Sequence, residues 1–126
     1  MKKVINTAKA PAPVGPYSQA IEVNNTLYCS GQIAIVPETN EVNTGSVESQ
    51  TQQVMKNIQA VLEGGGYTWD HVIKTTIFLT NMQDFATVNA IYGTYFKELP
   101  PARSTVQVSA LPKGVNVEIE VIASRL

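Results

Sequence analysis

From Val115 to Val121, apolar and polar residues alternate without a break: Val115, Val117, Ile119 and Val121 interleave with Asn116, Glu118 and Glu120. A period of two is the signature of a β-strand, because successive side chains point to opposite faces of the sheet. No other segment of the chain carries a stronger strand signal, and it imposes two requirements. One face must be buried against apolar partners. The other face presents two carboxylates, Glu118 and Glu120, on the same side.

The rest of the chain supplies partners for this strand. Ala10-Pro11-Ala12-Pro13-Val14-Gly15-Pro16 excludes a helix, since three prolines and a glycine fix or break the backbone. It delivers Tyr17 to a strand expected from Tyr17 to Val23. Asn24-Asn25 reads as a tight turn, because Asn tolerates positive φ. Thr26 to Ile35 is the returning arm; Gly31 within it marks a bulge or a close backbone approach. Pro37 to Gly45 is a polar, turn-rich loop, and Ser46 suits a helix N-cap. Val47, Thr51, Val54, Met55, Ile58, Val61 and Leu62 then form an apolar helical stripe, with Gln50, Gln53, Lys56 and Glu63 on the other side. Gly64-Gly65-Gly66 stops that helix. These glycines are no phosphate cradle, because they follow a helix and do not lead from a strand into one.

Val72 to Leu79 is rich in β-branched residues and reads as a strand. Asn81 or Asp84 caps a second helix, whose apolar face is Phe85, Val88, Ile91, Tyr92, Tyr95 and Phe96; Pro100-Pro101 ends it. Ser104 to Val108 is another strand, and Leu111-Pro112-Lys113-Gly114 a turn. The expected order is β-β-β-α-β-α-β-β, an α+β domain spanning residues 1–126 with helices on one face of a mixed sheet. No helix is left for the opposite face, and apolar residues on both strand faces favour association.

Composition narrows the chemistry. With 44% hydrophobic and 15% charged residues, the chain is globular. Its net charge is -1, and Lys2, Lys3, Lys56, Lys74, Lys97 and Lys113 are scattered, so nucleic acid is not an expected partner. Cys29 has no second cysteine to pair with. One histidine, His71, and one cysteine cannot supply a structural zinc site. A Ser-His-Asp mechanism would have to pass through His71, and no nucleophile motif accompanies it. The first residues lack an apolar stretch of signal-peptide length, and no run approaches a membrane span. A soluble cytoplasmic protein without metal or cofactor is the expectation.

Several residues can carry chemistry. Arg103 sits where Pro100-Pro101 hands over to a strand; a planar guanidinium held there can clamp a carboxylate with two parallel hydrogen bonds. A solvated loop arginine is the plainer alternative. Glu118 can hold or activate a water, or can simply face solvent beside Glu120. Tyr17, placed by Pro16, and Ser30-Gly31 are polar handles near backbone irregularities. Phe85 is the aromatic nearest a helix end and so freest to line a pocket. Cys29 reads as a small buried apolar residue.

Singly, these residues decide nothing; together they form blocks. Ala12-Pro13-Val14-Gly15-Pro16-Tyr17-Ser18-Gln19, Ser30-Gly31-Gln32-Ile33, Phe85-Ala86-Thr87-Val88-Asn89, Pro101-Ala102-Arg103-Ser104 and Val117-Glu118-Ile119-Glu120 resemble the signature blocks of the RidA/YjgF family, in order and spacing. The resemblance implies a chorismate-mutase-like fold, a six-stranded mixed sheet with two helices on one face. It also implies a homotrimer with a barrel-like centre and pockets at the subunit interfaces. Members hydrolyse enamine/imine acids such as 2-aminoacrylate/2-iminopropanoate and 2-iminobutanoate to a 2-keto acid and ammonia, protecting pyridoxal-phosphate enzymes. By resemblance, Arg103 binds the substrate carboxylate and Glu118 orients and activates water. Tyr17, Ser30, Gly31 and Asn89 line the pocket, and Phe85 forms an apolar wall.

One position departs from the pattern. Many members have Cys after Arg-Ser, and here it is Thr105. If backbone groups at this position matter more than the side chain, Thr105 is tolerated in the pocket, with a changed substrate preference. Two rival functions remain: a non-catalytic sensor of keto or amino acids using the same pocket, and RNA cleavage, which the net charge of -1 disfavours.

Overall fold

The computed structural model describes residues 1–125. In chain order it contains β1 (Lys3–Ile5), β2 (Ala20–Val23), β3 (Thr26–Cys29), β4 (Ile35–Val36), β5 (Glu41–Val42), α1 (Val47–Gly64), β6 (Val72–Leu79), α2 (Phe85–Gly93), β7 (Ala102–Gln107) and β8 (Val117–Ser124). Six strands form one sheet in the order β1-β2-β3-β8-β6-β7, while β4 and β5 form a separate hairpin. The large sheet is mixed: β6 and β7 pair parallel, and the other neighbours pair antiparallel. A parallel pair needs a crossover, and α2 lies in it.

The alternation of β8 places it at the centre. Val117, Ile119, Val121 and Ala123 are buried, together with Ile77 and Leu79 of β6 and Leu27 of β3. Val54, Met55, Ile58, Val61 and Leu62 of α1 are also buried and join them in one core. The helix starts where expected: the Ser46 side chain accepts from the Ser49 N–H at 3.1 Å. The Asn24-Asn25 turn has φ of 50° and 60°, the left-handed pair that a two-residue hairpin requires.

Strand register gives the opposite face of the sheet Val4, Ile21, Tyr28, Ile122, Phe78 and Val106, with Glu118 and Glu120 among them. Tyr28 is 50% exposed and Val4 56%. No helix covers this face.

Several sequence readings need correction. Tyr17 precedes its strand, which begins at Ala20. β1, before the proline-rich stretch, is not assigned from sequence, because three residues carry no periodicity. The returning arm stops at Cys29 rather than Ile35. Beyond it the chain bulges: five residues from Tyr28 to Gln32 oppose four from Ile122 to Ile119. The loop after Pro37 holds β5. β7 starts two residues before Ser104 and ends at Gln107, and β8 runs from Val117 to Ser124. The second helix ends at Gly93, so Tyr95 and Phe96 pack from the turn beyond it.

Gln50, assigned to the polar side of α1, is fully buried. Its amide donates to Gly45 O at 3.0 Å and Asn116 Oδ1 at 2.8 Å, and its carbonyl accepts from Asn116 N at 2.8 Å. This ties the start of α1 to the entry of β8. Gln50→Ala should lower stability by about 1–3 kcal/mol, the cost of leaving buried partners unpaired. Urea unfolding followed by circular dichroism measures it; a wild-type midpoint would refute the tie.

Candidate functional site

The bulge after β3 builds one half of the site. Ser30 N–H donates to Gln19 O at 2.9 Å, and the Ser30 hydroxyl to Ser18 O at 2.6 Å. Gln32 then pairs with Ile119 in both directions, at 2.8 and 3.1 Å. Gly31 is thereby pressed against β8. A Cβ there would lie 2.9 Å from the Glu118 carboxyl carbon, so any larger residue would push that carboxylate out of its present position. The close approach read from Gly31 is real, and its partner is Glu118.

Glu118 is half-buried, and loss of solvent raises its pKa; repulsion from Glu120 adds to this. A concavity of 570 Å³ is lined by Tyr17, Ser30, Gly31, Glu118, Glu120 and Lys113, among others. Its outer wall is the proline-rich arm. Gln19, 2% exposed, holds that arm in place: its carbonyl accepts from Thr7 N at 2.7 Å, and its amide donates to Thr7 O at 3.0 Å and Pro11 O at 2.9 Å.

The other half is built on β7. Arg103 pairs in register with buried Thr75, so it lies on the helix-covered face, opposite to Glu118. Asn89 Oδ1 accepts from Arg103 Nη1 at 2.7 Å. The guanidinium carbon stands 5.4 Å from the Phe85 ring centre and 5.0 Å from that of Tyr92. A second concavity contains Arg103, Asn89, Tyr92 and Pro101. Arg103 is therefore no solvated loop residue: it is oriented by three side chains of α2.

Tyr17, Ser30, Gly31 and Glu118 thus come together, and Phe85, Asn89 and Arg103 come together elsewhere. The two groups lie on different faces of the sheet, with β6 between β8 and β7. Neither concavity holds both Arg103 and Glu118. Thr105 lines neither concavity; its hydroxyl is buried and has no hydrogen-bond partner among the described residues. Cys29 is buried, which pushes its thiol up to about 12 and leaves it protonated and unreactive. No cluster of three or more potential metal ligands occurs among the described residues, and no described helix is long and apolar enough to cross a membrane.

Sequence reading missed Glu120 and Lys113 as pocket members and Tyr92 as an arginine partner. Phe85, Asn89 and Tyr92 fall at i, i+4 and i+7 on one helical stripe, but Tyr92 reads from sequence only as part of the apolar face.

Comparison with known proteins follows the same lines. The family model described as Endoribonuclease L-PSP matches residues 7–125. A RutC family protein of Pyrococcus horikoshii is 53% identical over 123 residues, covering 98% of each chain. A mouse protein named 2-iminobutanoate/2-iminopropanoate deaminase is 48% identical, covering 98% of this chain and 91% of its own. The crystal structure of a Rid-family protein of Yersinia pestis superposes with a TM-score of 0.97 at 56% identity, over 99% of this chain and 100% of that one.

The unpaired Thr105 hydroxyl yields a stability prediction. Thr105→Val removes it while keeping the β-branched shape, so the variant should be as stable as wild type or up to about 1 kcal/mol more stable. Scanning calorimetry reads this. A loss of more than about 1 kcal/mol would mean that the hydroxyl is paired in solution.

Proposed function

The chain belongs to the RidA/YjgF family, and from that membership and the two half-sites we propose that it hydrolyses reactive 2-imino acids, 2-iminopropanoate and 2-iminobutanoate, to the 2-keto acid and ammonia. The observation that carries the reading is that one chain carries both an oriented arginine and a desolvated carboxylate, each lining a separate concavity. We propose further that a homotrimer completes the site, with Arg103 of one copy facing Glu118 of its neighbour. The uncovered apolar sheet face supports such an assembly, since its exposed Tyr28 and Val106 need cover.

The chemistry asks little of the protein. An iminium carbon is already electrophilic, so neither a covalent nucleophile nor a metal is required. Arg103 holds the carboxylate and fixes the carbon in place. Glu118 takes a proton from water as the oxygen attacks, giving a carbinolamine. That proton passes to nitrogen, the C–N bond breaks with its electron pair leaving as ammonia, and loss of the hydroxyl proton forms the keto group. A carboxyl with a raised pKa suits both taking the proton and returning it. RNA cleavage, which the family model's description suggests, finds no support in a chain of net charge -1.

A coupled assay tests the reading. Threonine dehydratase acting on L-threonine releases the imine, and semicarbazide traps what escapes. The protein should speed 2-oxobutyrate formation and suppress the semicarbazone. Arg103→Ala should lose about tenfold to a hundredfold in kcat/KM, matching a lost charge-assisted hydrogen bond. Absence of turnover, with retained keto-acid binding, would assign the site to a sensor instead.

Glu118 also carries a stability prediction. Its pKa rises above 4.5 on folding, so ionising it costs stability. That cost is absent below the ordinary value and builds as the pH climbs through the raised one. Glu118→Gln should therefore melt above wild type at pH 7, with the gap closing in acid, while turnover collapses. A variant melting at or below wild type at neutral pH would contradict the desolvated carboxylate.

A further inference from the structure

Arg103 is held by a closed circuit of contacts. Its register partner on the neighbouring parallel strand is Thr75, which is 1% exposed. The Thr75 hydroxyl lies 2.8 Å from the hydroxyl of Tyr92, a residue only 5% exposed. The Tyr92 ring in turn stands 5.0 Å from the Arg103 guanidinium. A tyrosine pinned at its hydroxyl cannot choose its ring plane freely, so the face it offers the cation is fixed.

We propose that Tyr92, anchored by Thr75, is a positioning residue that sets the direction in which Arg103 presents its guanidinium to a substrate carboxylate. The proposal rests on the reading of Arg103 as the carboxylate clamp. Asn89 occupies one of the five guanidinium N–H groups. Phe85 and Tyr92 flank the cation with aromatic rings. What remains open is an N–H edge, which can donate two parallel hydrogen bonds to a carboxylate. A merely structural Tyr92 would affect melting and leave affinity alone.

The test compares wild type with Tyr92→Phe, Tyr92→Leu and Thr75→Val. Phe keeps the ring and loses the pin; Leu loses the cation–π contact. Binding of 2-oxobutyrate, a stable planar carboxylate, is measured by calorimetry, and the Arg103 Nε–H signal is read by ¹⁵N NMR without ligand. Tyr92→Phe and Thr75→Val should each weaken binding about threefold and raise KM in step with little change in kcat. Their combination should be no worse than either alone. Tyr92→Leu should weaken binding about tenfold and broaden the Nε–H signal. An unchanged signal and affinity in a folded Tyr92→Leu protein overturn the proposal. If Leu does not fold, Tyr92→Phe with wild-type affinity and signal overturns it equally. A wild type that binds 2-oxobutyrate but does not turn over imines would refute the deaminase reading and leave the positioning role standing, since the NMR signal needs no turnover.

Discussion

Two helices can cover only one face of a six-stranded sheet, and the rest of the structure follows from that shortage. Apolar β8 residues and α1 form a dry core on the covered side. The other side keeps Tyr28, Ile122, Phe78 and Val106 alongside Glu118 and Glu120. An apolar sheet face that also carries carboxylates is costly to leave in water and costly to bury alone. The proposed association with further copies would resolve both, because an interface can bury the apolar residues while leaving a pocket around the charged ones.

Parts of this arrangement carry local signals. The alternation in β8 is legible because an antiparallel strand with one buried face must alternate. Ser46 and the α1 stripe announce their helix, and the two asparagines announce their turn. Other parts depend on contacts distant in sequence. Gln50 looks polar and exposed until Asn116, sixty-six residues on, supplies its partners. Arg103 reads as a loop residue because its orientation depends on the β6–β7 register and on α2. The bulge at Ser30-Gly31 was anticipated from glycine, yet Glu118 as the group it admits follows only from the pairing of Gln32 with Ile119.

Stability is given up at several of the candidate residues. Glu118 is desolvated without a hydrogen-bonded cation to compensate it, Gly31 forgoes a side chain, and the Thr105 hydroxyl is buried unpaired. Such concessions persist where they serve a site. Arg103 contrasts with them: Asn89, Phe85 and Tyr92 surround it, so its half of the pocket is organised before any ligand arrives.

A site split between copies can be tested by mixing subunits. Arg103→Ala and Glu118→Gln chains, each at most about a tenth as active as wild type alone, are unfolded together in equal amounts and refolded. If the pocket joins Arg103 of one copy to Glu118 of the next, random assembly gives about a quarter of the interfaces both intact groups, and imine hydrolysis returns to roughly that fraction of wild type. A refolded mixture as inactive as its parents would contradict the split site and place the chemistry within a single chain or outside these residues altogether.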